Sequence, residues 1–378
     1  MNIIIKEAIS KSDMKKFVAF PFKLYAKNKY WIPPLISNEI ATLDRKKNPA
    51  FDYCKAKYWL AYRDGKIAGR IAGIINDSYI KKWKNKYARF GWIDFIDDTE
   101  VSKALLSTVE KWAMENGLNA VHGPLGFTDL DYEGMLVEGF EELGTMATIF
   151  NYPYYPVHLK QHGYAADISW IEFEIKPMQK ANERLERLAS LMEKKLELTI
   201  VRTKKAREIL PYAREIFDVM NSAYENLYGV VALTDRQVEY YIKLYFGFIR
   251  AEFVSIILDK AGQVVAFGIT MPSLSLALQK AKGRLFPFGF IHLMKAMKKN
   301  DRADLLLVGI RPDYQRKGLN AILMSEMNKV YLNNHIKVAE SNPELETNVL
   351  IHSFWKSFDS RQHKKRTCFI KQLSTVHV

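Results

Sequence analysis

A chain of 378 residues is long for one hydrophobic core, so two globular domains of ordinary size are expected. Its hydrophobic fraction of 48%, with 20 Tyr and 21 Phe, excludes a mainly disordered protein. The formal net charge of +14 points to an anionic partner, either a phosphorylated small molecule, a nucleic acid or a membrane surface, although many basic residues stand beside acids, as in 180–195, as on a solvated face.

The amino-terminal MNIIIKEAISKSDMKK breaks its apolar run with charges after a few residues, so no secretion signal is expected. Asn2 to Ile9 reads as a first strand. Asp13 to Asn28 reads as a helix with Phe17, Phe20, Leu24 and Tyr25 on one side, kinked or ended by Pro21. After Trp31-Ile32-Pro33-Pro34 and a polar connecting helix, Tyr58 to Tyr62 and Ile67 to Asn76 form a hairpin with Asp64-Gly65 as its turn. Arg89 to Ile96 is a strand, and Thr99 to Asn116 a helix capped by Thr99 and stopped by Gly117. Ala120-Val121 opens another strand. His122 to Phe140 is too rich in glycine and acid for a regular element and reads as a structured loop. Tyr155 to His162 is a short helix and Ala166 to Ile175 a closing strand.

Lys176 to Lys195 is charged and helical, with an apolar stripe of Leu185, Leu188, Leu191 and Met192. It reads as a linker, 177–195, between a domain of residues 1–176 and one of residues 196–378. The order then restarts: a strand at Leu196 to Val201, helices at Arg207 to Leu227 and Thr234 to Phe248, and a hairpin of Phe253 to Leu258 and Val264 to Met271. An insertion, Pro272 to Asn300, carries the apolar Leu285 to Gly289. Beyond it come a strand (Asp304 to Ile310), a helix (Gly318 to Asn333), a strand (Ile336 to Glu340), a helix (Glu346 to Phe358) and a strand (Lys365 to Leu373). The shared order of the halves predicts a duplicated domain. No stretch approaches the roughly 18 apolar residues of a membrane span, and the richest, Leu285 to Met297, contains His292 and Lys295. Cys54 and Cys368 lie in opposite halves, which fits structural thiols in a reducing cytoplasm.

The chemistry concentrates in Val308 to Ala321, VGIRPDYQRKGLNA, where a strand runs into a basic turn and a helix. A helix start of this kind presents backbone N–H groups to phosphate oxygens, and Gly318 permits close approach. At the matching junction of the first half, Asp94-Phe95-Ile96-Asp97-Asp98-Thr99-Glu100 supplies acids that would cap the helix themselves and repel a pyrophosphate.

With this order of elements, Gln315-Arg316-Lys317-Gly318-Leu319-Asn320 resembles the motif of the GNAT superfamily of acyl-CoA N-acyltransferases: Gln or Arg, two residues, Gly, one residue, then Gly or Ala. Asn320 departs from the pattern, with Ala321 one place late. GRIAGIIN at Gly69 to Asn76, FGWIDFIDD, HGPLGFTDLDYEGMLVEGF and NYPYY look like an uncharacterised family of two-domain bacterial GNAT-like proteins. The resemblance implies an α/β fold of two tandem GNAT-like domains, each a mixed, mostly antiparallel sheet flanked by helices. It further implies acetyl-CoA or a longer acyl-CoA, held in the second domain only by Gln315, Arg316, Lys317, Gly318, Leu319, Asn320, Ala321 and Asn348, with strand amides at Gly309 and Ile310 polarising the thioester carbonyl.

The implied reaction is direct attack of an unidentified small-molecule amine. Its base must lie within hydrogen-bond reach of the amine, and Glu340 is the candidate. Where many relatives place a Tyr that protonates the leaving thiolate, this chain has Trp355, so Ser353, Tyr331 or water would serve, or catalysis is lost and a non-catalytic acyl-CoA or small-molecule binding protein remains. Asn221, Tyr224 and Tyr228, at helical spacing, are candidates to line the acceptor pocket, with Asp129, Asp131, Glu133, Asn151 and Tyr155 as further lining. His158 and His162 stand four apart without an evident third ligand, so no metal is expected. No interleaved basic and aromatic motif calls for nucleic acid.

Overall fold

The computed structural model describes residues 2–178, 182–245, 249–348, 352, 355 and 358–373. They fall into two compact units: unit 1 takes the chain up to Ile171, Ser275–His292 and the residues from His363, and unit 2 takes Glu172–Leu274 and Leu293–Gln362.

Unit 1 begins with β1 (Ile3–Glu7), α1 (Lys11–Leu24), α2 (Ile36–Thr42), β2 (Cys54–Arg63) and β3 (Lys66–Asn76). The expected hairpin turn is present, with Asp64 and Gly65 both at positive φ, 48° and 77°, the requirement of a two-residue turn. Helix α1 continues through Pro21 to Leu24. Proline cannot donate to the carbonyl four residues back, that of Phe17, and the Arg70 guanidinium donates to it instead at 3.0 Å.

Next come α3 (Asp77–Trp83), β4 (Tyr87–Phe95), α4 (Thr99–Glu115), β5 (Ala120–Gly123), β6 (Met135–Glu138), α5 (Tyr154–Gln161) and β7 (Ala165–Lys176). The cap of α4 is Asp98 rather than Thr99: its carboxylate accepts the amides of Glu100 and Val101 at 3.0 and 3.3 Å, so the acid one place earlier takes the role. Within the expected loop, Met135–Glu138 forms a short strand because a partner from the far end of the chain pairs with it. Helix α4 lies over β3, where a side chain on Gly73 would meet Trp112 at 2.9 Å; the core there is Trp59, Ile71, Phe90, Phe95, Leu105, Val109 and Trp112.

The chain continues with α6 (Glu183–Lys195), β8 (Thr199–Val201), α7 (Ala213–Ala223), α8 (Asp235–Tyr245), β9 (Val254–Leu258) and β10 (Val264–Pro272). The helix expected from Arg207 starts late, after two short 3-10 turns, the second containing Pro211. The insertion folds as α9 (Ser275–Ala281) and α10 (Gly289–Lys298). Last come β11 (Arg302–Ile310), α11 (Leu319–Asn333), β12 (Val338–Ser341), β13 (Glu344–Leu345) and β14 (Asp359–Gln372).

In unit 1 the strands run β1-β2-β3-β4-β5-β14, with β4 and β5 parallel and the other neighbours antiparallel among the described residues. In unit 2 they run β7-β12-β11-β10-β9-β8, with β11 and β12 parallel. Each is a mixed, mostly antiparallel sheet with flanking helices, as expected. The last strand of the chain pairs with β5 in unit 1, Phe369 opposite Gly123 and Ile370 opposite His122, and β12 of unit 2 pairs with β7, Ala339 opposite Ile175. Among the described residues no helix is long and apolar enough to cross a membrane. Both cysteines are free and buried.

Candidate active site

In unit 2 the segment after β11 makes the turn expected from its sequence. A 3-10 turn at Pro312–Tyr314 leads through Arg316, at φ 61°, and Gly318, at φ 87°, into α11. The amides of Gln315, Lys317 and Ala321 bond to carbonyls of the turn at 3.3, 3.4 and 3.0 Å. Among the described residues no acceptor meets the amides of Arg316, Gly318, Leu319 and Asn320, so they form a concave set of donors at a helix N-terminus, the arrangement that holds phosphate. Arg311 is committed to Asp313 and Asp259, whereas Arg316 is exposed and Lys317 lies over the Tyr314 ring at 5.0 Å. Asn320 is exposed while Leu319 and Ala321 turn into the core, so the residue that departs from the motif faces outward. A side chain on Gly318 would approach Met192 of α6 at 3.0 Å, so this glycine serves both its left-handed backbone and the contact between α6 and α11.

Beside the turn, β11 and β12 part. Their parallel register runs from Arg302 opposite Val338 to Leu305 opposite Ser341 and is not continued beyond it. Where they separate, Asn342 holds both sides: its amide donates to the Leu305 carbonyl at 3.1 Å and its side-chain amide to the Leu306 carbonyl at 2.7 Å. On the other edge, the register with β10 slips between Ile269 and Thr270, leaving Leu306 as the extra residue of a bulge. Val308 beyond it is 39% exposed. This open edge can receive an extended amide chain by the pairing that strands use among themselves. Gly309 faces Phe267 on β10, where a side chain would collide with the ring at 2.5 Å, and the Ile310 carbonyl accepts from the Gln315 side chain at 3.2 Å.

Glu340 is buried, not the exposed strand-end acid that its sequence position allows. It stands in β12 between Asp304 on β11 and Glu174 on β7, so three carboxylates lie in one row across three strands. Arg302 and Arg361 meet Glu174 at 3.1 and 3.0 Å and hold its carboxyl below the usual range against a burial cost. Two residues beyond Asn342, Glu344 receives the Trp355 indole N–H on both oxygens, at 2.9 and 3.0 Å. Burial pushes its carboxyl up to about 8, against the lowering effect of Trp355 and Ser341. Sequence reasoning passed over Glu344; the only signal was the turn-forming Asn342-Pro343 before it, at the end of a strand already marked.

Tyr224, at the end of α7, donates its hydroxyl to the Val308 carbonyl at 2.9 Å and so lies against the open strand. Asn221 is closed on the backbone of Leu233, accepting its amide at 2.9 Å and donating to its carbonyl at 3.2 Å. Tyr228 is half-buried in the loop that follows. Tyr331 lies far along α11, roughly 20 Å from Gly318 at the helical rise per residue, buried beside Phe253, where burial pushes its phenol up. The Asn348 carbonyl accepts the His352 amide at 3.2 Å. Ser353 lies outside the described residues.

At the corresponding place in unit 1, Asp98 fills the helix start as described above, with Arg63 beside it. Asp94 accepts from Tyr25 at 2.8 Å and from Arg70 at 2.7 Å, and Tyr155 joins them, its hydroxyl 2.8 Å from that of Tyr25. Asn151 clamps both backbone groups of Leu136 at 2.7 and 3.0 Å. Asp131 accepts the amides of Phe127 and Thr128, and burial raises its carboxyl to about 6; Glu133 and Asp129 are raised by burial, Glu133 further by Asp129. His158 and His162 share the Ser102 hydroxyl at 3.0 and 2.8 Å, a sufficient reason for their spacing.

Fold and element order together give a tandem GNAT-like architecture, with the basic strand-to-helix turn in its second half. The same architecture occurs in a solved tandem GNAT protein from the clavulanic acid biosynthesis pathway, which superposes with a TM-score of 0.56 over 98% of each chain at 10% identity. The chain is similar to Protein YghO of Escherichia coli, 26% identical over 98% of this chain and 95% of that one. It is also similar to the bacterial ceramide synthase of Caulobacter vibrioides, 25% identical over 80% of this chain and 79% of that one. No family model matches the chain.

Proposed function

We propose that the protein is a cytoplasmic acyl-CoA-dependent N-acyltransferase whose coenzyme is held by unit 2. The observation that carries this reading is the set of amides at Arg316, Gly318, Leu319 and Asn320, unengaged among the described residues, beside the open edge of β11. Acyl-CoA supplies an acyl group activated as a thioester. Arg316, Lys317 and the turn amides hold its pyrophosphate, and the strand edge from Leu306 takes the extended amide arm. Glu340 receives the proton of the attacking amine as the C–N bond forms. Glu344, protonated at neutral pH, gives a proton to the sulfur as the C–S bond breaks, the role that indole at Trp355 cannot fill. The products are an amide and the free thiol.

The similarity to a ceramide synthase supports a lipid class of acceptor, since a ceramide is the amide of a fatty acid with a long-chain amino alcohol. Tyr224, against Val308, is the residue we assign to the acceptor side. Isothermal titration of acetyl-CoA and of long-chain acyl-CoA into the protein tests the coenzyme. Absence of binding by both would end the reading. Thiol release in the presence of long-chain amino alcohols tests the reaction, and binding without release across that panel would instead support a non-catalytic coenzyme-binding protein.

A further inference from the structure

Ser275 to Asn300 contains six basic residues, Lys280, Lys282, Arg284, Lys295, Lys298 and Lys299, and no acidic one. All six are exposed, and among the described residues none has a carboxylate partner. Between the two basic groups stands an apolar loop: Phe286 is 78% and Phe288 68% exposed, and Phe290, Ile291 and Met294 on α10 are exposed with them. Single exposed apolar residues are ordinary, but five within nine positions are not. The base of the loop is fixed. The Gln279 side chain donates to the carbonyls of Lys29 and Trp31 at 2.8 and 3.0 Å, and the Ile36 amide donates to the Gly283 carbonyl at 2.9 Å.

We propose that this segment docks the protein on an anionic phospholipid surface, with Phe286 and Phe288 entering at headgroup level and the basic residues meeting lipid phosphates. Charge complementarity selects the occupant: an acid-free run of cations around protruding aromatics matches a negatively charged interface, and α10, ten residues long, lies on a bilayer rather than crossing it. The proposal does not depend on the coenzyme reading, since it uses none of the residues around α11.

Flotation of the full chain with vesicles tests it. We expect the protein to float with phosphatidylcholine vesicles doped with phosphatidylglycerol, to stay behind with phosphatidylcholine alone, and to release on raising salt. Phe286→Asp with Phe288→Asp replaces two exposed side chains, so circular dichroism stays that of the parent while flotation falls about tenfold or more. Lys282→Glu with Arg284→Glu weakens the preference for the anionic lipid. Equal flotation with both vesicle types, or unchanged flotation of the double aspartate variant, overturns the proposal. So does RNA binding that ignores the phenylalanines, or a dimer abolished by the aspartates in a protein that never floats. Acyl-CoA titration of the same variants stays unchanged, which separates failure here from failure of the coenzyme site.

Discussion

The indole N–H of Trp355 donates to both carboxylate oxygens of Glu344, at 2.9 and 3.0 Å, in β13 just past the end of β12. The bond fixes the carboxyl group, and burial keeps the proton on it at neutral pH. Two consequences follow for pH. Thiol release should fall as pH rises through about 8, and Glu344→Gln should lower the rate by about 100-fold and remove that alkaline limb. A variant with the parent's rate and profile would remove Glu344 from the reaction.

Stability offers an independent reading of the same group. Its folded value is raised above the ordinary 4.5, so its contribution is fully present below that value and is lost as pH rises through about 8. Melting temperature measured from pH 5 to pH 9 should therefore decline in the parent, and Glu344→Gln should flatten the decline.

At the turn, Arg316→Glu combined with Lys317→Glu should weaken acyl-CoA by at least about tenfold, with the loss largest at low salt. Both side chains are exposed, so melting temperature should barely move. Gly318→Ala behaves differently, because φ of 87° and the contact with Met192 strain any side chain there. It should cost about 1 kcal/mol of stability as well as binding.

In unit 1, Arg70 neutralises buried Asp94 and also takes the Phe17 carbonyl that Pro21 leaves unmet. Arg70→Ala should destabilise by about 3–5 kcal/mol in denaturant titration. Asp98→Ala, which removes the cap of α4 and the carboxylate beside Arg63, should cost at least about 1 kcal/mol and confer no second coenzyme site.

Local signals were read well from the sequence. Asp64-Gly65 marked its hairpin because only that turn accepts two positive φ values, and Gly318 marked the start of α11 for a related reason. The turn and the tandem GNAT fold were therefore legible. Long-range pairing was not: nothing within Lys365 to Leu373 tells that it lies beside β5, and Met135–Glu138 is a strand only because that partner exists. Glu344 escaped for the same reason. Its elevated proton affinity comes from burial, which the indole hydrogen bond from a tryptophan eleven residues away only partly offsets, and no local pattern records either.

The placement of the final strand bears on how the protein is made. Strand β5 pairs with residues 369–372, and β6 with residues 365–367. The first unit thus waits for residues 365–372 to leave the ribosome before its sheet is complete. A gene cut at the helix 183–195 would give two fragments, the first lacking β14 and the second lacking β7, so co-expression should rescue each where separate expression does not.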